Sequence, residues 1–196
     1  MKELIELKEK AIKDNIPIMQ DEGLAFMIEL FKQNNFHNCL EIGSAVGYSA
    51  LMMASNINDF KVETIELDDN RYNQAKENIK AYKMDKQIII HHDNALTLSL
   101  EKLVLAKYDC LFIDGAKAQY QKFFEKYMPL VNDNGICVVD NLDFHGMVFE
   151  IEKIKNRNTR QLVKKIKRFK DWILSNEEYD VKYYHIGDGI CVIKKR

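Results

Sequence analysis

Four polar residues that follow two apolar segments carry the side chains needed for metal-assisted chemistry. Asp114 ends the segment YDCLFID, Lys117 comes three residues later, and Asp140 and Asn141 follow GICVV. The side-chain oxygens of Asp114, Asp140 and Asn141 suit a hard divalent cation such as Mg²⁺, with positions left open for substrate and water. Lys117 lies one helical turn beyond Asp114 and could act there as a base. Each aspartate alone could equally cap a helix.

A glycine-rich turn in LEIGSAVGYS (40–49) indicates a second kind of site. Gly43 allows a sharp turn, and Gly47 lets the next helix pack closely and present its backbone N–H groups to a ligand. Such a turn could hold a pyrophosphate or the methionine end of S-adenosylmethionine, or it could serve packing alone. Glu41 favours S-adenosylmethionine, because a carboxylate repels a pyrophosphate and pairs with an amino group.

Two more segment ends extend this predicted cofactor site. Glu66 ends KVETIE about 20 residues after the turn, where an acidic side chain can accept both ribose hydroxyls. The neighbouring Asp68 and Asp69 also permit a plain acidic loop there. Asp93 and Ala95 follow the next apolar segment and could face an adenine.

These residues require a sheet that gathers them at one edge. Helix-patterned stretches alternate with apolar segments, which predicts a parallel sheet with helices on both faces. The predicted strands are 37–42, 61–67, 87–92, 108–114 and 135–140, and the predicted helices between them are 48–57, 70–83 and 117–128. Segments 181–186 and 190–196, joined through Gly187-Asp188-Gly189, predict a C-terminal β-hairpin.

The composition indicates one globular domain, 1–196, and excludes membrane spans. Two amphipathic helices, near 3–13 and 21–34 with Pro17 between them, form an N-terminal helical cover over 1–35. The first residues are charged and lack the apolar core of a secretory signal, which predicts a cytoplasmic protein. The chain's four cysteines lie in apolar stretches and are expected to be buried thiols.

Basic charge is concentrated in one segment, 150–175, which we interpret as a basic insertion. Residues 150–171 hold nine Lys or Arg and three Asp or Glu, although the whole chain has a net charge of −1. Such a cluster suits a phosphate backbone, but it could also be a solvated helix face. The proposed RNA contacts are Lys164, Lys165, Lys167 and Arg168, with Lys170 nearby. Phe169 and Trp172 could stack on bases, although an apolar face of Leu162, Ile166, Phe169 and Ile173 favours burial.

Taken together, LEIGSAVGYS, IELDD, DNA, FIDGAK and VVDN resemble the metal-dependent O-methyltransferases of the catechol and caffeoyl-coenzyme A type. The resemblance runs from about residue 16 to the C-terminus. It implies a Rossmann-like α/β fold with a mostly parallel seven-stranded sheet and a C-terminal antiparallel hairpin. The motifs IPIM (16–19), DGAKAQY (114–120) and HIGDGI are most similar to those of bacterial tRNA 5-hydroxyuridine methyltransferases.

The resemblance also implies roles for individual residues. The metal ligands would be Asp114, Asp140 and Asn141, and Lys117 would be the catalytic base acting with Asp114. Met19 would lie near the methyl donor. Together with the residues of the turn and strand ends, the expected S-adenosylmethionine site comprises Met19, Glu41, Gly43, Ser44, Gly47, Ser49, Glu66, Asp93, Ala95 and Asp114. Family members are often homodimers, and a homodimer is expected here.

The leading hypothesis is a tRNA methyltransferase that converts 5-hydroxyuridine at the anticodon wobble position to 5-methoxyuridine. The alternative is a small-molecule enzyme that methylates catechol-like phenols. Both acceptors present two adjacent oxygens that can chelate a metal, so the catalytic residues do not discriminate between them. A third hypothesis is a non-catalytic RNA-binding protein that retains the cofactor fold.

Overall fold

The computed structural model describes residues 2–196, with side chains from Leu4 onward; Met1, where the predicted cover begins, lies outside the described residues. The helices are α1 Lys2–Lys13, α2 Asp21–Gln33, α3 Tyr48–Asn56, α4 Asp69–Ala81, α5 Tyr120–Tyr127 and α6 Arg157–Leu174. The strands are β1 Asn38–Ile42, β2 Lys61–Glu66, β3 Ile88–His92, β4 Tyr108–Ile113, β5 Val131–Val139, β6 Tyr179–Tyr184 and β7 Ile190–Lys195. Over residues 2–196, no helix combines the length and apolarity that crossing a bilayer requires.

All seven strands form one sheet in the order β3-β2-β1-β4-β5-β7-β6. Strands β1 to β5 run parallel, whereas β7 lies antiparallel to both β5 and β6. This confirms the predicted mostly parallel seven-stranded sheet with a C-terminal antiparallel hairpin. The strand order reverses between β1 and β4, and in open α/β sheets the ligand crevice lies at such a point.

The two faces of the sheet carry separate apolar cores, because side chains alternate along each strand. Cys39 and Cys110 face the core covered by α1 to α4, and Cys137 and Cys191 face the core covered by α5 and α6. All four cysteines are free and buried, as predicted. The predicted helices on both faces of the sheet are therefore confirmed.

Several predicted boundaries differ from the structure by one or more residues, and three of these differences are informative. The strand placed at 181–186 is Tyr179–Tyr184, because the chain turns at Gly187 and Gly189, which have positive φ values of 57° and 86°. The strand placed at 135–140 begins at Val131, and its pairing with β4 shifts register between Tyr108 and Cys110. The helix placed at 117–128 begins only at Tyr120, after a 3₁₀ turn over Lys117–Gln119.

Helix α6 buries a face slightly different from the predicted one. Its buried apolar residues are Val163, Ile166, Phe169 and Ile173, whereas Leu162 is half-buried. Phe169 and Trp172 pack against Phe124, with ring centroids 6.4 and 5.8 Å away, which supports the packing interpretation over base stacking. Lys170, placed among the basic residues of the segment, is buried, because its ammonium group pairs with Asp143.

A buried carboxylate ties the segment before β4 to the sheet, and removing one of its donors should destabilise the fold. Glu63 on β2 accepts hydrogen bonds from the Tyr108 hydroxyl (2.6 Å), His91 Nε2 (2.6 Å) and the Val104 N–H (2.7 Å). Burial alone would raise the pKa of Glu63, but these bonds outweigh it and lower the pKa.

We expect Tyr108→Phe to lower the free energy of unfolding by about 1–3 kcal/mol, because the substitution leaves a buried carboxylate oxygen short of a donor. Chemical denaturation monitored by circular dichroism measures the change. Tyr184→Phe is the matched control, because the Tyr184 hydroxyl has no hydrogen-bond partner among the described residues. Equal stability of the two variants would contradict the assigned role of Tyr108.

Candidate active site

The carboxyl ends of β1, β2, β3 and β4 surround one cavity of about 980 Å³. Residues from the predicted cofactor and catalytic sets line it together, so members of both sets lie at one edge of the sheet. They are Gly43, Glu66, Asp93, Ala95, Asp114 and Lys117. Pro17 from the α1–α2 connector, Phe144 and Leu162 also line the cavity, so the N-terminal cover and α6 help to enclose it.

The turn after β1 depends on backbone conformations that favour glycine. Gly43 and Gly47 have φ values of 96° and 81°. Ala45, between them, adopts φ 46° although it is not a glycine. At Gly43 the chain passes so close to the end of β4 that a Cβ atom would lie 2.8 Å from Gly115 Cα and 2.9 Å from the Asp114 carbonyl oxygen. The absence of a side chain at Gly43 therefore lets the turn pack directly against the end of β4, next to Asp114.

We expect Gly43→Ala to weaken S-adenosylmethionine binding about tenfold or more and to destabilise the protein by about 1–3 kcal/mol. The added methyl group would push the turn away from backbone atoms that cannot give way. Calorimetric titration with S-adenosylmethionine measures the first effect and thermal unfolding the second. Gly146→Ala is the control, because Gly146 also has a positive φ (77°) but has no atom within 4 Å of its Cβ position. Similar losses in both variants would argue against close packing at Gly43.

Behind the turn lies a buried polar group with unused hydrogen-bonding capacity. Glu41 Oε1 accepts a hydrogen bond of 2.5 Å from the Ser49 hydroxyl. Glu41 Oε2 and the Ser44 hydroxyl are buried without a partner among the described residues. Buried polar atoms normally have partners, so these two fit the amino and carboxylate groups of a methionine-type ligand. These three side chains do not line the open cavity and would reach a ligand only at the turn.

The binding of S-adenosylmethionine is expected to depend on pH through Glu41. Burial raises the pKa of this carboxyl from 4.5 to about 7. The ligand-free fold thus gains stability from the protonated form at low pH and loses it as the pH rises towards 7. A ligand amino group reverses this preference, because it pairs with the ionised form.

We therefore expect the affinity for S-adenosylmethionine to fall about tenfold between about pH 8 and about pH 6. Calorimetric titrations without added metal, at both pH values, measure this change. In Glu41→Gln the affinity should be low at both pH values. A pH dependence that persists in Glu41→Gln would assign the titration to another group.

Glu66 and Asp93 are held at the cavity wall by different means. Glu66 accepts backbone hydrogen bonds from Ala45 (2.8 Å), Leu67 (3.0 Å) and Asp68 (2.9 Å), so its carboxylate is fixed between the turn and the start of α4. Asp93 forms an ion pair of 2.8 Å with Lys102. The bond from Lys102 lowers the pKa of Asp93. Both carboxylates line the cavity where the ribose and adenine contacts were predicted.

The predicted base and the three predicted metal ligands converge at the ends of the neighbouring strands β4 and β5. The Lys117 ammonium group donates a hydrogen bond to Asn141 Oδ1 and lies 3.6 Å from Asp114 Oδ1. Asn141 adopts φ 61°, and its amide nitrogen donates to Asp140 Oδ2 at 3.2 Å. The Tyr120 hydroxyl donates to the Asp140 carbonyl oxygen at 2.9 Å and anchors the start of α5 to this loop.

The charge balance of this cluster fits a bound cation. Burial and then the charge of Asp114 raise the pKa of Asp140 to about 7. Burial also raises the pKa of Asp114, an effect that Lys117 partly offsets. Within residues 2–196 no three His, Cys, Asp or Glu side chains are grouped around a possible metal position, so the predicted site depends on two carboxylates and one amide oxygen. The buried Asp140, whose ionisation the charge of Asp114 disfavours, the half-buried Asp114 and the Asn141 amide oxygen form a donor set suited to Mg²⁺.

Asp188 is a further residue of this region, and its sequence context predicted a turn but no role in the site. It is buried, accepts a hydrogen bond of 2.5 Å from the His145 N–H, and raises the pKa of both Asp114 and Asp140. An acidic residue between two glycines, close to the C-terminus, was the available signal. Its place beside the loop that carries Asp140 and Asn141 depends on the pairing of β7 with β5.

Met19, which was predicted to contact the cofactor, and three nearby histidines lie outside the cavity. Met19 is buried close to Gly23 and Ile190, and its position near a methyl donor stays a prediction. The His91 side chain forms a hydrogen bond with the Glu63 carboxylate, and the His92 side chain pairs with Asp69, so both histidines have structural partners. The His145 side chain lines a separate groove of about 670 Å³.

The predicted RNA-binding residues are exposed along α6, and two of them border a groove beside the active site. Lys164, Lys165, Lys167 and Arg168 are all exposed, although Lys167 forms an ion pair with Asp171 at 2.7 Å. A groove of about 420 Å³ is lined by Lys122, Lys165 and Arg168 and reaches Lys117. Lys117, Ala118 and Gln119 line both this groove and the main cavity.

Comparisons with known proteins agree on one kind of enzyme. The family model described as O-methyltransferase matches residues 1–196. An Arabidopsis thaliana protein provisionally named as a caffeoyl-CoA O-methyltransferase is 32% identical over 178 residues, covering 89% of this chain and 76% of that protein. A Staphylococcus aureus crystal structure with the same provisional name has a TM-score of 0.94 and 37% identity, covering 98% and 92% of the two chains. A Bacillus cereus O-methyltransferase, solved with S-adenosylhomocysteine, shares the fold with a TM-score of 0.83 at 21% identity, covering 100% and 91%.

Proposed function

The chain belongs to the O-methyltransferase family and uses S-adenosylmethionine, and from this premise we propose that its acceptor is a ring hydroxyl with a second oxygen on the adjacent carbon. The observation that supports this acceptor is the convergence of Asp114, Asp140, Asn141 and Lys117 at the ends of β4 and β5, where Asp114 and Lys117 line the cavity. A hydroxyl and its neighbouring oxygen present the paired donors that an open divalent site can hold.

The side chains of the cluster divide the chemistry between them. Asp114, Asp140 and Asn141 would hold Mg²⁺, which when bound supplies Lewis-acid polarisation of the acceptor oxygens. Lys117, as the neutral amine, would accept the hydroxyl proton as the oxygen forms its bond to the methyl carbon. The carbon–sulfur bond of the donor breaks, and S-adenosylhomocysteine leaves with that electron pair. Glu66 and the turn around Gly43 orient the donor so that its methyl group faces the acceptor.

A small catechol-like phenol is the acceptor class that the named relatives favour. The Arabidopsis and Staphylococcus aureus relatives are provisionally named as caffeoyl-CoA O-methyltransferases. Proteins of Populus kitakamiensis and Medicago sativa that are named caffeoyl-CoA O-methyltransferase match at 27% identity. The apolar Phe144 and Leu162 on the cavity wall suit a planar ring.

The 5-hydroxyuridine of a tRNA anticodon is a second candidate acceptor, favoured by the basic groove beside Lys117. Lys122, Lys165 and Arg168 in that groove have no acidic partner among the described residues, so their charges are available to a phosphate backbone. Lys164 is also exposed on α6, whereas Lys167 is paired with Asp171. A homodimer and a cytoplasmic location stay predictions.

A transfer assay with labelled S-adenosylmethionine and Mg²⁺ separates the two acceptors. The comparison is between free catechol, tRNA that contains 5-hydroxyuridine, and the same tRNA with uridine. Label in catechol alone supports the small-molecule enzyme. Label only in the 5-hydroxyuridine tRNA supports the RNA enzyme. Label in the uridine tRNA would overturn the adjacent-oxygen requirement itself.

Charge reversal then tests the groove directly. Lys165→Glu with Arg168→Glu should weaken tRNA binding and its salt dependence if RNA is the substrate, and should leave catechol methylation unchanged. The control is Lys80→Glu with Lys83→Glu, which makes the same change of charge at exposed positions on and after α4. Equal effects of the two pairs on tRNA would show a general charge effect and count against the groove.

A further inference from the structure

The loop that carries two predicted metal ligands has a backbone that needs external support. From Asp140 to Gly146, four residues adopt positive φ values: Asn141 (61°), Phe144 (45°), His145 (56°) and Gly146 (77°). Three of them are not glycine, and such conformations persist only where surrounding contacts hold them. The position of Asn141 therefore depends on what holds this loop.

Backbone contacts with the C-terminal hairpin supply part of that support. The Leu142 N–H donates to the Gly189 carbonyl at 2.9 Å, and the Asp143 N–H donates to the Asp188 carbonyl at 2.8 Å. The Asp188 carboxylate accepts from the His145 N–H at 2.5 Å. The loop thus lies against residues 188–189 from Leu142 to His145.

The remaining support is a buried ion pair in the middle of the loop. Asp143 Oδ1 accepts hydrogen bonds from Lys170 Nζ, at 2.9 Å, and from the Tyr183 hydroxyl. Lys170 is only 8% exposed, and its ammonium group lies 3.7 Å from the centre of the Tyr183 ring and 4.9 Å from that of Phe149. His185 Nδ1 lies 3.5 Å from the other Asp143 oxygen.

We propose that Lys170 and Tyr183 are positioning residues that act through Asp143 to hold Asp140 and Asn141 in place for the cation. The inference rests on the proposed metal-assisted function. Lys170 and Tyr183 come from α6 and β6, so these contacts tie the loop to two elements that are separate in sequence. Neither residue lines the main cavity, so their effect on methyl transfer is indirect.

The test compares Lys170→Met and Tyr183→Phe with Lys153→Met, which removes an exposed lysine paired with Glu150. Three quantities are measured for the full-length protein: the Mg²⁺ concentration that gives half of the thermal stabilisation, hydrogen exchange of residues 140–149 without ligands, and the Kd for S-adenosylmethionine. In Lys170→Met and Tyr183→Phe we expect about a tenfold higher Mg²⁺ requirement and faster exchange of the loop, with the Kd changed less than about twofold. Lys153→Met should match the wild type in all three.

The proposal would be overturned if Lys170→Met and Tyr183→Phe matched Lys153→Met in the hydrogen exchange of residues 140–149 and in the Mg²⁺ requirement. A uniform rise of exchange throughout the protein would also overturn it, since that would show a role in global stability. If Lys170→Met does not fold, the milder Tyr183→Phe decides the matter, because it removes one hydroxyl group. If the wild type proves indifferent to Mg²⁺, the metal mechanism fails, and the positioning of residues 140–149 is then decided by exchange alone.

Discussion

Replacing Asp140 with alanine is expected to lower the rate of methyl transfer by about three orders of magnitude or more, which corresponds to about 4 kcal/mol of transition-state stabilisation. Asp140 lies at the end of β5, is 2% exposed, and shares its surroundings with Asp114. Its removal leaves one carboxylate and the Asn141 amide to hold a divalent ion, and acceptor oxygens would lose both their orientation and their polarisation.

The measurement is single-turnover methyl transfer at saturating acceptor, with Mg²⁺ varied over a wide range. S-adenosylmethionine binding should be nearly unchanged, because the turn at Gly43 and Glu66 does not depend on Asp140. Asp140→Asn keeps the shape but removes the charge, and it should be rescued in part by high Mg²⁺. An unchanged rate of methyl transfer in Asp140→Ala would reject the metal mechanism, whereas the assignment of the fold would stand.

Lys117→Met is expected to slow methyl transfer by about 10²–10⁴-fold, because the acceptor hydroxyl loses the group that takes its proton. The Lys117 ammonium group contacts Asn141 and lies 3.6 Å from Asp114, so the amine is already at the centre of the cluster. Methionine retains most of the length of the side chain, and the cavity wall should keep its shape.

The rate should be measured against pH, since a lost base is distinguished from a lost contact by the shape of the profile. In Lys117→Met the rate should rise steadily with pH, as solution hydroxide replaces the amine. Lys117→Arg keeps the charge and should remain slow near neutral pH, because a guanidinium group does not release its proton. Full activity of Lys117→Arg would show that the charge alone matters and that the base is elsewhere.

The main features of the fold and the cavity were predictable because their signals are local. Strands β1 to β5 are short apolar runs, and functional groups of parallel sheets lie where such runs end. Glu66, Asp93 and Asp114 could therefore be assigned to one edge before their distances were known. The outer helices were predicted for the same reason, since the spacing of their apolar residues is visible within each segment.

Residues whose role depends on distant partners were not predictable in this way. Lys170 was counted as a surface charge because its neighbours in sequence are basic, and only the pairing of α6 with the loop at Asp143 shows that it is buried. Asp188 was interpreted as a turn residue because its flanking glycines dominate the local pattern. Leu162 was assigned to the buried apolar face of α6, whereas it is half-buried and lines the cavity.

The alternation of cysteines across the sheet makes the protein its own reporter of local opening. Burial raises the pKa of Cys39, Cys110 and Cys137 well above the usual range and that of Cys191 to about 12, so none reacts as a thiolate in the closed state. Alkylation of each thiol then proceeds only when its own helical layer separates from the sheet. Cys39 and Cys110 record the fluctuations of the N-terminal layer, and Cys137 and Cys191 those of the layer that contains α6. Mass spectrometry of the four alkylation sites can thus show, in one sample, how ligands change the opening of the two helical layers. Binding of the methyl donor and of the acceptor will slow the opening of both layers together or of each layer separately.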